Sequence, residues 1–94
     1  MKRFELGDLY TTAAIRERIN ENKRFGFFVR KCIRRYMDCD WGDSYKEDKA
    51  LNDEAVINGD RIFAAYIFPA DNKKIWIITE ADRSATTVLF PEDY

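Results

Sequence analysis

The chain contains no histidine, and it has only two cysteines, two prolines and four glycines among its 94 residues. Without histidine, neither a Ser-His-Asp triad nor a Cys-His pair can form, and metal sites that use imidazole are excluded. Cys32 and Cys39 alone do not supply the ligands of an ordinary structural zinc site. No segment approaches the ~20 apolar residues of a membrane span, and no secretory signal is apparent at the start. We therefore expect a cytoplasmic protein that is not an enzyme and holds no metal ion or cofactor.

Charge is divided unevenly along the chain, although the formal net charge is only −1. Residues 1–37 carry ten Lys/Arg and four Asp/Glu, whereas residues 38–94 carry six Lys/Arg and thirteen Asp/Glu. Hydrophobic residues make up 46% of the chain, which is sufficient for the core of one domain of this length. The sequence therefore predicts a single domain over residues 1–94, and its charge asymmetry indicates a charged partner.

Hydrophobic periodicity predicts helices first and strands later. Three helices are expected, over about 13–20, 23–37 and 45–57. Thr11 or Thr12 caps the first, Ser44 and Glu47 form a capping box for the third, and Gly59 ends it. Strands are expected over 61–68, 74–79 and 85–90, with a short strand or extended arm at 3–10. Short connections favour antiparallel pairing. The predicted fold class is α+β, with about three helices packed on a three- to four-stranded antiparallel β-sheet.

The helix over 23–37 has the clearest pattern, with one apolar and one basic side. The apolar stripe holds Phe25, Phe28, Val29, Cys32, Ile33, Tyr36 and Met37. We expect it to lie against strands that contain Ile75, Ile77, Val88 and Phe90. The candidate binding residues on the other side are Lys23, Arg24, Phe27, Arg30, Lys31, Arg34 and Arg35. This side is either a solvated helix surface or a site for phosphates or a carboxylate-rich protein, and no helix-turn-helix or RNA-binding signature accompanies it.

Acidic residues after position 37 suggest calcium binding, but their spacing excludes an EF-hand. A loop that begins at Asp38 places Gly42 one position too early and Lys49 where a bidentate Glu is needed. Trp41 is interpreted as packing between helices, with an exposed anchor for a partner as the alternative. A second candidate surface is acidic: Glu47, Asp48, Asp53, Glu54, Glu92 and Asp93. We expect Cys32 in the core, Cys39 in a loop, and a turn ion pair among Glu80, Asp82 and Arg83.

Two segments carry a family resemblance. The first is Asp40-Trp41-Gly42-Asp43, followed by Glu47-Asp48 and by Asn52-Asp53-Glu54-Ala55 before Gly59. The second is Ile75-Trp76-Ile77-Ile78-Thr79-Glu80-Ala81-Asp82-Arg83-Ser84, followed by Thr86-Thr87-Val88-Leu89-Phe90-Pro91-Glu92-Asp93-Tyr94. They resemble a family of small "plasmid-related" bacterial proteins of plasmids, integrative elements and prophages. The resemblance covers residues 38–94 and the first six residues, whereas residues 10–37 diverge. It implies a mobile-element setting but no established activity.

In such a setting, a small protein without histidine is expected to bind and inhibit a host defence or nucleic-acid-processing complex. The expected partner is therefore a host defence protein or ribonucleoprotein complex, as for an anti-CRISPR or anti-restriction factor. The alternative is a nucleic-acid-binding accessory protein that uses the basic side of the 23–37 helix. A small enzyme is the weakest hypothesis, because no nucleophile–base pair is visible in the sequence.

Overall fold

A computed structural model describes residues 3–94 and shows an α+β fold. In chain order its elements are β1 (Asp8–Thr11), α1 (Ala13–Glu21), α2 (Lys23–Met37), α3 (Lys46–Asn58), β2 (Ile62–Phe68), β3 (Lys73–Thr79), β4 (Ala85–Leu89) and a short 3-10 helix (Pro91–Asp93). The predicted fold class is confirmed. Among the described residues, no helix is long and apolar enough to cross a membrane.

Short polar side chains separate the first two helices. The Thr12 hydroxyl accepts a hydrogen bond from the Ile15 amide at 3.3 Å, so Thr12 caps α1. Asn22 ends α1 and caps α2, since its side-chain oxygen accepts from the amides of Arg24 and Phe25. These bonds satisfy amide groups that have no partner inside the helix, which is why two helices follow each other with one residue between them.

The predicted capping box of α3 is wrong. Tyr45 occupies the N-cap position and makes no side-chain capping bond. The Ser44 hydroxyl instead donates to the Trp41 carbonyl at 2.7 Å and accepts from the Ala65 amide at 2.9 Å. The Ser44 hydroxyl therefore bonds to the Trp41 carbonyl and to the edge of β2, and it does not cap the helix. The predicted helix end is confirmed, because Gly59 adopts the left-handed conformation with φ of 76°.

The sheet is mixed, so the expectation of a purely antiparallel sheet is corrected. Its strand order is β1-β4-β3-β2. The pairs β2–β3 and β3–β4 are antiparallel, whereas β1 lies parallel to β4, with Leu9 opposite Thr86. The helices and two strands separate β1 from β4 along the chain, so the pairing is a crossover and not a hairpin. Local sequence does not specify such a pairing.

The core lies between one sheet face and the first two helices. Four positions on α2 face it, namely Phe25, Val29, Cys32 and Tyr36, and all are buried. The predicted burial of Ile75, Ile77, Val88 and Phe90 is also confirmed. Phe28 and Ile33 are only half-buried, which corrects the expectation that the whole stripe is covered. The buried stripe is narrower than the apolar stripe in the sequence. Residues spaced i, i+4, i+7 and i+11 point at the sheet, whereas the other apolar residues of α2 lie to either side of this line and remain partly exposed.

The outer edge of β2 is closed by polar side chains from the segment before it. The amides of Phe63, Ala65 and Ile67 donate to the side chains of Asn52, Ser44 and Asp43, respectively. Asn52 also donates to the Phe63 carbonyl, so its side-chain amide bonds to both the N–H and the C=O of Phe63. Because α3 and the loop before it occupy this edge, another strand cannot add to it.

Candidate functional site

The basic face of α2 consists of Lys23, Arg24, Phe27, Arg30, Lys31 and Arg34, all of which are exposed. Phe27 is 66% exposed, so an apolar ring stands in solvent among these cations. Arg30, Lys31 and Arg34 follow Phe27 at i+3, i+4 and i+7, so they lie on the same side of the helix as Phe27. Within residues 3–94, no carboxylate lies within 4.0 Å of a charged nitrogen of these cations. The face therefore combines an apolar centre with unpaired positive charge.

Arg35 belongs to the structure of the fold and not to this free face. Its guanidinium donates to both carboxylate oxygens of Asp40, at 2.7 and 3.1 Å, and lies 5.4 Å from the centre of the Tyr66 ring. The hydrogen bond from Arg35 holds the pKa of Asp40 below its ordinary value, and the same bond raises the pKa of Arg35. The pair fixes the loop that follows α2, which removes Arg35 from the residues free to meet a partner.

Trp41 is buried, with 3% of its surface exposed, so the alternative of an exposed anchor is wrong. Its ring packs against Phe4 and Tyr36, and its indole N–H donates to Asp53 at 2.9 Å. The interpretation of Trp41 as a packing residue between helices is confirmed. A tryptophan in this position satisfies its one polar atom and buries the remainder of its surface.

The acidic candidates are divided between α3 and the 3-10 helix. Three of them make bonds within the fold: Asp53 accepts from Trp41, Glu92 pairs with Lys73, and Asp93 accepts from Thr12 and from the Phe90 amide. Glu47 and Glu54 are exposed on α3, and Asp48 is half-buried there. The α3 helix contacts β2, whereas the 3-10 helix contacts β3.

The turn with Glu80, Asp82 and Arg83 contains no ion pair, which corrects that expectation. The Arg83 guanidinium donates to backbone carbonyls instead, at Ala55 (2.9 Å), Asp60 (2.7 Å) and Glu80 (3.2 Å). The Asp82 side chain accepts from the Ser84 amide. Arg83 therefore joins the end of α3 to the β3–β4 turn. A charged donor bound to helix-terminal carbonyls is favourable because it satisfies acceptors that have no partner in the helix.

A surface cleft next to the basic face was not predicted from the sequence. It has a volume of about 450 Å³ and lies between α2 and the β2–β3 turn. Phe28, Lys31, Cys32, Arg35, Asp43, Ile67, Pro69 and Asn72 line it. Lys31 belongs both to this cleft and to the basic face. Sequence reasoning missed the cleft because its two walls are separated by about a third of the chain.

The two thiols differ in environment. Burial raises the pKa of Cys32 from 9.0 to about 12, and it also raises the pKa of Cys39. Cys32 is buried in the core as predicted, whereas Cys39 is half-buried in a loop with φ of 62°. Thiolate is the reactive form of cysteine, so neither side chain is poised for chemistry.

We expect Cys39 to react first with Ellman's reagent at about pH 8, and Cys32 to react only on unfolding. A Cys39→Ser variant should lose the early phase, and equal rates for the two thiols would contradict the assignment.

Above about pH 9, unfolded chains release the Cys32 proton while folded chains retain it. The folded state then binds more protons, so the free energy of unfolding falls as the pH rises. Burial also raises the pKa of Tyr36 and Tyr66, which adds to this trend.

Within residues 3–94, no group of three or more Cys, Asp and Glu side chains is arranged to hold a metal ion. Comparison of the chain with protein-family models, with curated proteins and with solved structures finds no match. The candidate site is therefore defined by its own geometry: an exposed phenylalanine on α2 among cations that make no ion pair with the residues that the structure describes, with a cleft beside it.

Proposed function

We propose that this chain is a non-enzymatic protein of a mobile genetic element that binds and inhibits a host defence or nucleic-acid-processing complex. Its partner is a host defence protein or ribonucleoprotein complex in the cytoplasm, and its action resembles that of anti-CRISPR or anti-restriction factors. The mobile-element setting rests on the sequence resemblance of residues 38–94. The binding function rests on one observation, the exposed Phe27 among unpaired cations on α2.

The basic face supports this function better than the acidic candidates do. Its cations have no internal partners among the described residues, so binding to a partner breaks no bond of the fold. Half of the acidic candidates already bond within the fold: Asp53, Glu92 and Asp93. Charges that are free before association steer the encounter with an oppositely charged surface, and an aromatic side chain at the centre of such a surface often supplies much of the binding energy.

A second candidate function is that of a nucleic-acid-binding accessory protein. The observation that favours it is the same exposed ring, because an aromatic side chain with arginines beside it can stack on an unpaired base. In that case affinity falls steeply with salt, since each phosphate neutralised by a cation releases counterions. A protein partner is expected to leave free DNA and RNA with little affinity at physiological salt.

Charge reversal on the basic face tests the proposal. We expect the variant with Arg30→Glu, Lys31→Glu and Arg34→Glu to lose at least ~100-fold in affinity for its target complex, since each close charge pair that turns repulsive costs about 1 kcal/mol or more. The measurement is titration of target activity, which should be inhibited near one-to-one by the unchanged protein. The target is recovered from host lysate and identified by mass spectrometry.

The matched control carries the same change of charge elsewhere, with Arg16→Glu, Lys46→Glu and Lys49→Glu at exposed positions on α1 and α3. It should inhibit as the unchanged protein does. Equal loss in both variants would show a general effect of net charge and would contradict a site on α2. Tight and salt-sensitive binding of free DNA by the isolated protein, with no protein partner recovered, would replace the proposal with the second candidate function.

A further inference from the structure

The cleft beside the basic face is lined by both apolar and charged side chains. Its apolar lining includes Phe28, Ile67 and Pro69, and its volume of about 450 Å³ lies within the ~300–1,000 Å³ of sites that hold small ligands. Ile67 is 37% exposed, although its neighbours along β2 are buried. When an apolar group covers surface of this kind, water is excluded from it and the free energy of the complex is lowered.

Among the lining residues, Lys31 on the α2 side carries the positive charge that is available to a partner. Arg35, on the same side, is paired with Asp40, and Asp43 is contributed by the other side of the cleft. The Asp43 carboxylate is held in place, since it accepts a hydrogen bond from the Ile67 amide at 2.8 Å. A fixed carboxylate in the cleft repels phosphates and carboxylates alike, so the group that enters the cleft is uncharged, and the acidic groups of a partner lie outside it, on the basic face.

The α2 side of the cleft is partly preorganised, because Arg35 is held by Asp40 and by the Tyr66 ring. A second hollow of about 290 Å³ beside it has a mixed lining of Lys31, Arg34, Arg35, Asp38 and Asp40. Lys31 therefore stands between an apolar cleft and a row of free cations. The charge and shape together are complementary to a segment that carries one apolar side chain next to carboxylates.

We infer that this cleft receives an apolar side chain from an acidic segment of a protein partner, whose carboxylates meet Lys31, Arg30 and Arg34. The inference rests on the proposed function and specifies its partner: an acidic protein segment with an apolar anchor. The anchor enters between Phe28 and Ile67, and the acidic residues on either side lie along the basic face. Affinity is then shared between a buried apolar contact and the surrounding charge pairs.

The experiment uses the full chain and short synthetic peptides. One peptide contains only Asp and Glu with a single Phe at its centre, a second has Ser in place of Phe, and a single-stranded oligonucleotide of equal charge is the third probe. Binding is measured by fluorescence anisotropy. We expect the peptide with Phe to bind about tenfold more tightly than either other probe.

Two variants separate the cleft from the charge. Ile67→Ser should weaken binding of the Phe peptide about tenfold, whereas Ile57→Ser, the same change at an 83% exposed position on α3, should leave it unchanged. Lys31→Glu should weaken both peptides, and Lys49→Glu should weaken neither. Circular dichroism of each variant establishes that the fold is retained.

Each outcome decides the question. Equal binding of the two peptides, or no effect of Ile67→Ser, would overturn the inference while leaving the proposed function intact. Tighter binding of the oligonucleotide would overturn the inference and favour the second candidate function. Failure of all probes to bind at ~1 mM, the limit of weak association, would also overturn it. If Ile67→Ser weakens the Phe peptide but reversal of Arg30, Lys31 and Arg34 does not reduce inhibition of the target, the cleft stands and the proposed function of the basic face fails.

Discussion

Gly42→Ala is expected to destabilise the protein by about 3 kcal/mol or more, through steric overlap and backbone strain. Gly42 has φ of 62°, a conformation that costs an alanine about 1 kcal/mol. A Cβ atom there would lie 2.3 Å from Cδ1 of Tyr66 and 2.9 Å from the Ala65 carbonyl. The Tyr66 ring cannot move aside easily, because it is fully buried and its hydroxyl donates to the Asp40 carbonyl at 2.7 Å.

Gly59→Ala is a matched control for this prediction. Gly59 has φ of 76°, but a Cβ atom added there meets no atom within 4 Å. Gly59→Ala therefore introduces the backbone strain without the steric overlap, and it should lower the free energy of unfolding by about 1 kcal/mol. Urea unfolding of both variants gives the two values. For a domain of this length, each kcal/mol lowers the Tm by roughly 4–8 °C, so the difference is also visible by thermal melting. Equal costs for the two variants would refute the close contact between Gly42 and Tyr66.

The second large effect concerns a row of buried hydroxyl groups. The Tyr36 and Thr79 oxygens are 2.7 Å apart, and the Thr79 and Thr86 oxygens are 2.8 Å apart. The Thr86 hydroxyl donates to the Leu6 carbonyl at 2.7 Å. Since a carbonyl has no hydrogen to give, Thr86 must accept from Thr79, and Thr79 must accept from Tyr36. The hydroxyl groups therefore donate in one direction: from Tyr36 on α2, through Thr79 on β3 and Thr86 on β4, to the segment before β1.

Thr79→Val should cost about 2–3 kcal/mol, because it keeps the shape of the side chain and removes the central hydroxyl. The change leaves the Tyr36 hydroxyl with only the Ile62 carbonyl, 3.5 Å away, and leaves Thr86 without its donor. Thr87→Val is the control, since Thr87 is half-buried on the opposite face of β4 and should change stability by no more than ~0.5 kcal/mol. Equal effects for the two valines would exclude the directional row.

The same row predicts non-additivity. Tyr36→Phe removes the first donor, so adding Thr79→Val to it should cost less than Thr79→Val costs alone. A double-mutant cycle on the free energy of unfolding measures the coupling. Additive costs would show that the hydroxyls act independently. The row passes between α2, β3 and β4, so its loss is expected to loosen the N-terminal segment that carries Leu6.

The sequence was sufficient to define elements whose signals are local. The bounds of α2, Lys23–Met37, agree with the prediction because one apolar stripe repeats with the period of a helix. The start of α1 follows from Thr12 and the end of α3 follows from Gly59, because a capping residue acts within a single helical turn. The basic residues of α2 were identified in the same way, because charge on one side of a helix is a property of spacing alone.

Tertiary structure decided every feature that joins distant residues. The parallel pairing of β1 with β4, the bond between Trp41 and Asp53, and the carbonyl contacts of Arg83 depend on where the chain returns. It also separated Arg35, which is bound to Asp40, from Lys31 and Arg34, which have no ion pair within residues 3–94, although the three look alike in sequence. The physical reason is that composition and spacing fix which side of an element is apolar or charged, whereas the partners of a side chain depend on long-range packing.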